Sequence, residues 1–292
     1  VSGRSRPVLR YHGGKWRLAP WILTFFPAHR MYVEPFGGGG SVLMRKARVY
    51  AEVYNDLDSE VVNVFRVLRD FAAAQELETK LRLTPFARDE FEDAYGESAD
   101  DVEKARRTIV KAFMGFGSAS IHNTSGFRTH ASSRPPTGFR SNSNRSGTTP
   151  GHDWANYPEQ IKHFCARLSG VVIENRDASA LIAQHDNEEA LFYVDPPYPM
   201  GTRSDHGKDY MHEMTDDDHR ALAEVLRSVK GAVVLSGYPC DLYDVDLYPD
   251  WARHTRAHLA DGAAKRTEVV WLNARCVELL AREASQHQLG IA

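Results

Sequence analysis

Short apolar runs rich in β-branched and aromatic residues recur along the chain: Met31–Phe36, Val49–Tyr54, Val171–Glu174, Leu191–Val194 and Ala232–Ser236. Each is followed by a turn or by a helical pattern. Runs with no polar alternation predict strands covered on both faces. Two segments between or after them have helical periodicity. Leu57–Arg69 puts Val61, Val64, Phe65 and Leu68 on one face, and Asp216–Lys230 does the same with Leu222, Val225, Leu226 and Val229. Thr215 ahead of Asp216, Asp217 and Asp218 reads as an N-cap with acids in the first turn, where the helix dipole favours them. Two further runs, around His254–Leu259 and Glu268–Asn273, flank Ala260-Asp261-Gly262 and read as a C-terminal hairpin. Strands alternating with amphipathic helices predict an α/β fold, a seven-stranded mixed sheet with helices on both faces.

The rhythm fails between Ala72 and Tyr157. Ala72–Phe113 reads as helical, punctuated by Pro85 and Gly96, and Gly115–Gly151 is rich in Gly, Ser, Asn, Thr and Arg. The near-repeat Ser125-Gly126-Phe127-Arg128 and Thr137-Gly138-Phe139-Arg140 interleaves Phe and Arg, which a plain linker of the same richness rarely does. The expected organisation is a core of residues 1–71 and 158–292, with 72–157 as an inserted helical and loop subdomain that recognises something.

Composition narrows the class. The 292 residues are 42% hydrophobic and 26% charged, as in ordinary globular proteins. No apolar run approaches the roughly 20 residues of a membrane span. Val1–Arg10 carries arginines with no apolar stretch behind them, so no secretory signal is read there and a cytoplasmic location is expected. Cys165, Cys240 and Cys276 are widely spaced and odd in number, which argues against a disulfide framework or a paired-cysteine zinc site. Net charge is −3, yet Lys104 to His152 contains no Asp or Glu and carries Lys104, Arg106, Arg107, Lys111, Arg128, Arg134, Arg140 and Arg145. A local cationic surface binds phosphates whatever the bulk charge.

Three constellations carry candidate chemistry. In Val33-Glu34-Pro35-Phe36-Gly37-Gly38-Gly39-Gly40-Ser41-Val42 a glycine loop follows a strand and opens a helix, where open α/β sheets bind nucleotide-like ligands. It lacks the G-x-G-x-x-G spacing and a P-loop lysine, which disfavours phosphate binding; a tight turn is its plain alternative. Asn55-Asp56 follows the next strand, roughly 20 residues on, where an acid suits ribose hydroxyls. Asp56 is equally placed to cap the helix near Leu57. Asp177, after Val171–Glu174, can accept from an adenine amino group or cap Ala178–Ala183. The most specific signal is Asp195-Pro196-Pro197-Tyr198, directly after Leu191–Val194. An aryl amine is a poor nucleophile because its lone pair is delocalised. Two acceptors on its N–H groups, the Asp195 carboxylate and the Pro196 carbonyl, favour the pyramidal nitrogen that attacks a sulfonium methyl. Two prolines stiffen the loop, and Tyr198 offers a face for an unstacked base.

These motifs, in this order and together with Tyr11-His12-Gly13-Gly14-Lys15, resemble the Dam-type (D12 class) DNA adenine N6-methyltransferases. Leu235-Ser236-Gly237-Tyr238 and Arg266-Thr267-Glu268-Val269-Val270-Trp271-Leu272-Asn273 resemble later blocks of that family. The likeness covers about Arg10–Phe65 and Val171–Asn273 and is weakest across the insertion. It implies a Rossmann-like S-adenosylmethionine methyltransferase fold with an inserted target-recognition subdomain. Tyr11 and Lys15 would line the cofactor pocket. Glu34, Phe36, Gly37 and Gly39 would surround the methionine moiety, Asp56 the ribose and Asp177 the cofactor adenine. Asp195, Pro196 and Tyr198 would hold the target adenine, flipped from the DNA stack because N6 is unreachable inside a duplex. Direct transfer needs neither a metal nor a covalent intermediate. Asn123, Arg128, Arg134, Arg140, Asn142, Asn144 and Arg145 are the expected DNA contacts, arginine for phosphates and guanine edges and asparagine for adenine. The expected partner is duplex DNA, with a monomer as the default state. An N4-cytosine enzyme, an RNA or protein-amide methyltransferase and a silent DNA-binding module are the alternatives.

Overall fold

The computed structural model describes residues 6–115, 121–122, 149–202, 211–259, 265–288 and 290. The chain forms two compact units, Val1–Gly14 with Ser59–Ser169, and Lys15–Asp58 with Gly170–Ala292. Among the described residues the second unit holds the seven strands of one sheet: β1 Met31–Glu34, β2 Ala51–Asn55, β3 Val172–Glu174, β4 Ala190–Val194, β5 Ala232–Gly237, β6 Ala252–Leu259 and β7 Lys265–Leu272. Its helices are α1 Ala19–Ile22 and α2 Ser41–Arg45 early in the chain, then α9 Ala178–His185, α10 Asp216–Ser228 and α11 Ala274–Gln288. The first unit is helical: α3 Ser59–Arg69, α4 Phe71–Leu83, α5 Arg88–Asp93, α6 Asp101–Met114, α7 Pro150–Ala155 and α8 Ile161–Leu168.

The sheet is mixed and flanked by helices, with strand order β3-β2-β1-β4-β5-β7-β6. Strands β1 to β5 are parallel, and β7 enters antiparallel between β5 and β6. The central strand β4 is buried at all five positions, which is why it reads as an unbroken apolar run. One face of the sheet carries Val33, Phe192, Val194, Val233, Leu235 and Trp271 against Leu181 and Ile182 of α9 and Leu222 and Leu226 of α10. Helix α10 starts on a capping box between Thr215 and Asp218. The opposite face holds Tyr32 and Tyr193, both packed on Phe26.

Strand and helix ends differ from the sequence expectation for local reasons. β1 stops at Glu34 rather than Phe36, because Pro35 has no N–H to give the ladder. α3 starts at Ser59 rather than Leu57, because the Asp58 N–H is taken by the Asp56 carboxylate at 2.8 Å.

In the helical unit, α3 packs its buried Val61, Val64, Phe65 and Leu68 among α4, α6 and α8. Asp70 and Asp100 cap α4 and α6 through the Ala73 and Glu103 amides. The buried Tyr157 hydroxyl donates to the Val8 carbonyl at 2.7 Å and ties the N-terminal segment down. The cations of α6 are engaged within this unit: Arg106 with Glu90 and Glu103, Arg107 with Glu103, Lys111 with Glu60. They therefore form an internal ion-pair network rather than a bare basic surface. Among the described residues no helix is long and apolar enough to cross a membrane.

Candidate active site

The sheet order reverses direction at β1 and β4. The chain leaves β1 toward β2 and leaves β4 toward β5, so the loops after these two neighbouring strands diverge and open a crevice at their carboxyl ends. The β1 loop, Pro35–Gly40, is shaped by glycine where nothing else fits. A Cβ on Gly37 would overlap the Tyr54 ring, and Gly38 and Gly40 have φ of 47° and 63°.

Side chains from β1 and β2 then hold the loop. Tyr54 donates to the Gly38 carbonyl at 2.6 Å, and the Gly38 amide donates to Asp56 Oδ2 at 2.8 Å. Asn55 Nδ2 donates to the Pro35 carbonyl at 2.8 Å and to the Arg176 carbonyl at 3.0 Å, stitching the loops after β1, β2 and β3 together. Glu34 is buried, and its Oε2 accepts from the Tyr32 hydroxyl at 2.7 Å and the Leu43 amide at 3.0 Å, which fixes α2 behind the loop. Burial raises the proton affinity of Asp56 above the ordinary carboxylate range, against the amides of Asp58 and Gly38.

Across the crevice, Asp195 leaves β4 with each carboxylate oxygen engaged. Ser236 Oγ donates to Oδ1 at 2.9 Å, and Lys15 Nζ lies 2.9 Å from Oδ2. Ser236 is itself 2.9 Å from the Tyr193 hydroxyl. Lys15 also donates to the Tyr198 hydroxyl and lies 3.6 Å from Glu268 Oε1. The Tyr198 hydroxyl is 3.4 Å from the same Glu268 oxygen, and its ring tilts against Tyr238 with centroids 4.4 Å apart. Burial raises the pKa of Asp195, opposed by Lys15 and by the Ser236 hydroxyl. Burial also pushes Glu268 up to about 7, with Lys15 opposing and the Asp195 charge reinforcing. This arrangement offers a fixed carboxylate acceptor next to a rigid proline carbonyl, at the end of the strand beside the one that leads into the glycine loop.

The family model of the D12 class N6 adenine-specific DNA methyltransferases matches residues 11–267. The chain belongs to this family. The type II methyltransferase M1.LlaDCHI of Lactococcus lactis subsp. cremoris is 24% identical over 92% of this chain and 95% of its own length. The DNA adenine methylase of Serratia marcescens is 22% identical over 95% and 98%, respectively. The type II methyltransferase M.MjaIII of Methanocaldococcus jannaschii is 23% identical over 83% and 86%.

In this D12 methyltransferase the structure brings Lys15, Asp195 and Tyr198 into one cluster, with Pro196 buried beside them. Lys15, expected at the cofactor, makes its ion pair with Asp195. Glu34, Phe36, Gly37, Gly39 and Asp56 lie on and under the β1 loop, where Phe36 packs partly into the core. Asp177 caps α9, accepting from the Ala180 amide at 2.8 Å. Tyr11 belongs to the helical unit, where its carbonyl accepts from Gly14 N at 3.1 Å. Asn123, Arg128, Arg134, Arg140, Asn142, Asn144 and Arg145 lie outside the described residues.

Sequence reasoning gave no role to Ser236, Glu268, Asn55 or Tyr54. Two of them carried a signal: Ser236 directly follows the apolar run Val233–Leu235, and Glu268 directly precedes the apolar run Val269–Leu272. A buried polar side chain in a strand has a partner to be found.

Proposed function

We propose that this methyltransferase transfers a methyl group from S-adenosylmethionine to the N6 amine of adenine in DNA. Asp195 and the Pro196 carbonyl are the two acceptors of the amine hydrogens. The observation that carries this reading is the juxtaposition, on adjacent parallel strands, of the glycine loop after β1 and the Asp195–Tyr198 segment after β4. Asp195 is held on both oxygens, by Ser236 and Lys15.

The residues after β1 and β2 fit S-adenosylmethionine. Glycines let backbone approach a ligand closely, and the half-buried Asp56 carboxylate, its proton affinity raised by its surroundings, is a strong acceptor for ribose hydroxyls. When bound, the cofactor supplies an electrophilic methyl on a positively charged sulfur. Phe36, Gly37 and Gly39 would contact its methionine part, with Glu34 acting through its hold on α2, and Asp177 would serve its adenine. The target adenine leaves the stack at a cost of a few kcal/mol. The Asp195 carboxylate and Pro196 carbonyl then orient its amine, and the Tyr198 and Tyr238 rings wall the space beside it. Positioning of this kind supplies most of the rate. Residues 72–157 carry target recognition, with Asn123, Arg128, Arg134, Arg140, Asn142, Asn144 and Arg145 as the DNA contacts.

The test is incubation with unmethylated duplex DNA and S-adenosylmethionine tritiated in its methyl group, followed by digestion and nucleoside chromatography. Label in N6-methyldeoxyadenosine is expected. Label in N4-methyldeoxycytidine, or none in DNA, refutes the reading.

A further inference from the structure

Lys15, Asp195 and Glu268 place one ammonium between two carboxylates, with side-chain exposures of 4%, 17% and 1%. Glu268 reaches this point because β7 runs antiparallel beside β5. Val269 pairs with Gly237, so the residue before it in β7, Glu268, stands at the carboxyl end of β5, where Tyr238 begins the loop. Nothing in the transfer as described above requires an acid there, and a buried acid without a task is costly.

We propose that Glu268 is a positioning residue for methyl transfer: by sharing Lys15, it keeps that ammonium from becoming the dedicated counter-ion of Asp195. Asp195 thereby stays a strong acceptor for the target amine. The proposal rests on the role given to Asp195 above. With Glu268 ionised, the Lys15 charge is divided between Asp195 Oδ2 and Glu268 Oε1, at 2.9 and 3.6 Å. With Glu268 neutral, the full pull of the ammonium falls on Asp195, and a carboxylate so neutralised is a weaker acceptor. The other groups facing Glu268 do not substitute for Lys15. Tyr198 and Tyr238 bring hydroxyls, and His258 of β6, stacked on Tyr238, is held below its ordinary pKa by burial and by Lys15, so it adds no positive charge near neutral pH. The β6 register partner, Arg256, turns its guanidinium over the Trp21 ring at 6.0 Å, and Arg266 of β7 turns over Tyr238 at 6.0 Å. Burial sets the Glu268 transition at about 7. The sharing state therefore holds on the alkaline side of neutrality, and the closed Lys15–Asp195 pair holds on the acid side.

The test uses Glu268→Gln, Glu268→Asp, Lys15→Met and the Lys15→Met/Glu268→Gln double variant in the full chain. With cofactor and DNA saturating, Glu268→Gln should slow single-turnover transfer above neutral pH by roughly 10- to 100-fold, below what a group that itself moves a proton supplies. It should also flatten the wild-type rise of rate with pH, while Glu268→Asp keeps that rise. In the Lys15→Met background the same change should cost little, because Glu268 acts through Lys15. Calorimetric S-adenosylmethionine affinity should be near wild type in Glu268→Gln and Glu268→Asp. A Glu268→Gln variant with the wild-type rate and profile overturns the proposal, as does an undiminished cost in the Lys15→Met background. Carboxyl NMR on the ligand-free protein is independent of turnover: the Glu268 midpoint should move up in Lys15→Met. An unmoved midpoint refutes the sharing. Wild-type protein that labels no adenine refutes the proposed function instead.

Discussion

Ser236→Ala removes one oxygen from the middle of a buried chain of three polar groups. The Ser236 hydroxyl has no exposed surface, donates to Asp195 Oδ1 at 2.9 Å, and lies 2.9 Å from the Tyr193 hydroxyl. A hydrogen bond to an ionised group contributes about 1.5–3 kcal/mol, so full expression of the loss in the transition state slows transfer about 10- to 150-fold. The same change has a definite sign in pH. The hydroxyl lowers the Asp195 pKa; without it Asp195 binds its proton more tightly, and the acid limb of the rate moves to higher pH. Tyr193 loses the same partner, which costs about 1–3 kcal/mol of folding stability. Single-turnover transfer measured across pH for wild type and Ser236→Ala separates the two consequences. A variant that is destabilised but keeps the wild-type rate and acid limb would refute the reasoning, because Ser236 would then serve packing alone.

Three further outcomes are expected. Asp56→Ala should weaken S-adenosylmethionine binding about 10- to 150-fold by calorimetry while slowing saturated chemistry much less; unchanged affinity would leave Asp56 only its bonds to Gly38 and Asp58. Alanine at Arg128, Arg134, Arg140 or Arg145 should either flatten the salt dependence of DNA affinity by about one unit of slope or relax site choice at a cost of about 1–3 kcal/mol. Wild-type affinity, salt slope and methylation map in all four would move recognition elsewhere. Glu103 is held at about 2, below its ordinary 4.5, chiefly by hydrogen bonds from Arg106, with Arg107 adding to them. A depressed carboxyl contributes stability that is complete above its ordinary value and is lost as pH falls toward the folded one. Glu103→Gln should therefore lower the denaturant midpoint at neutral pH, with the difference from wild type closing between pH 4.5 and 2; a constant difference across that window would contradict the ion-pair account.

Much of the fold was readable because its central strands are buried on both faces. Ala190–Val194 has no polar position to confuse the pattern, and the capped helix at Thr215 announces its own start. The boundaries were harder, since they depend on single bonds such as Asp58 N–H to Asp56. Short helices such as Pro150–Ala155 carry too few turns for periodicity to register. The site divides the same way. Asp195, Pro196 and Tyr198 are contiguous and carry their chemistry locally. Ser236 and Glu268 reach Asp195 and Lys15 only through the pairing of β4, β5 and β7, and a single antiparallel strand sets that register. Spacing along the chain does not encode it. Asp177 shows the converse: the cap that the sequence offered as an alternative is made, whatever the residue does for a ligand.

Asp195 is assigned to the target amine and not to the cofactor. Single-turnover transfer to duplex DNA by Asp195→Ala at saturating S-adenosylmethionine, with cofactor affinity measured on the same preparation, tests that assignment most directly. Near wild-type affinity and no labelled N6-methyldeoxyadenosine are expected. Substantial labelling by the variant, or loss of cofactor binding in a folded protein, would contradict it.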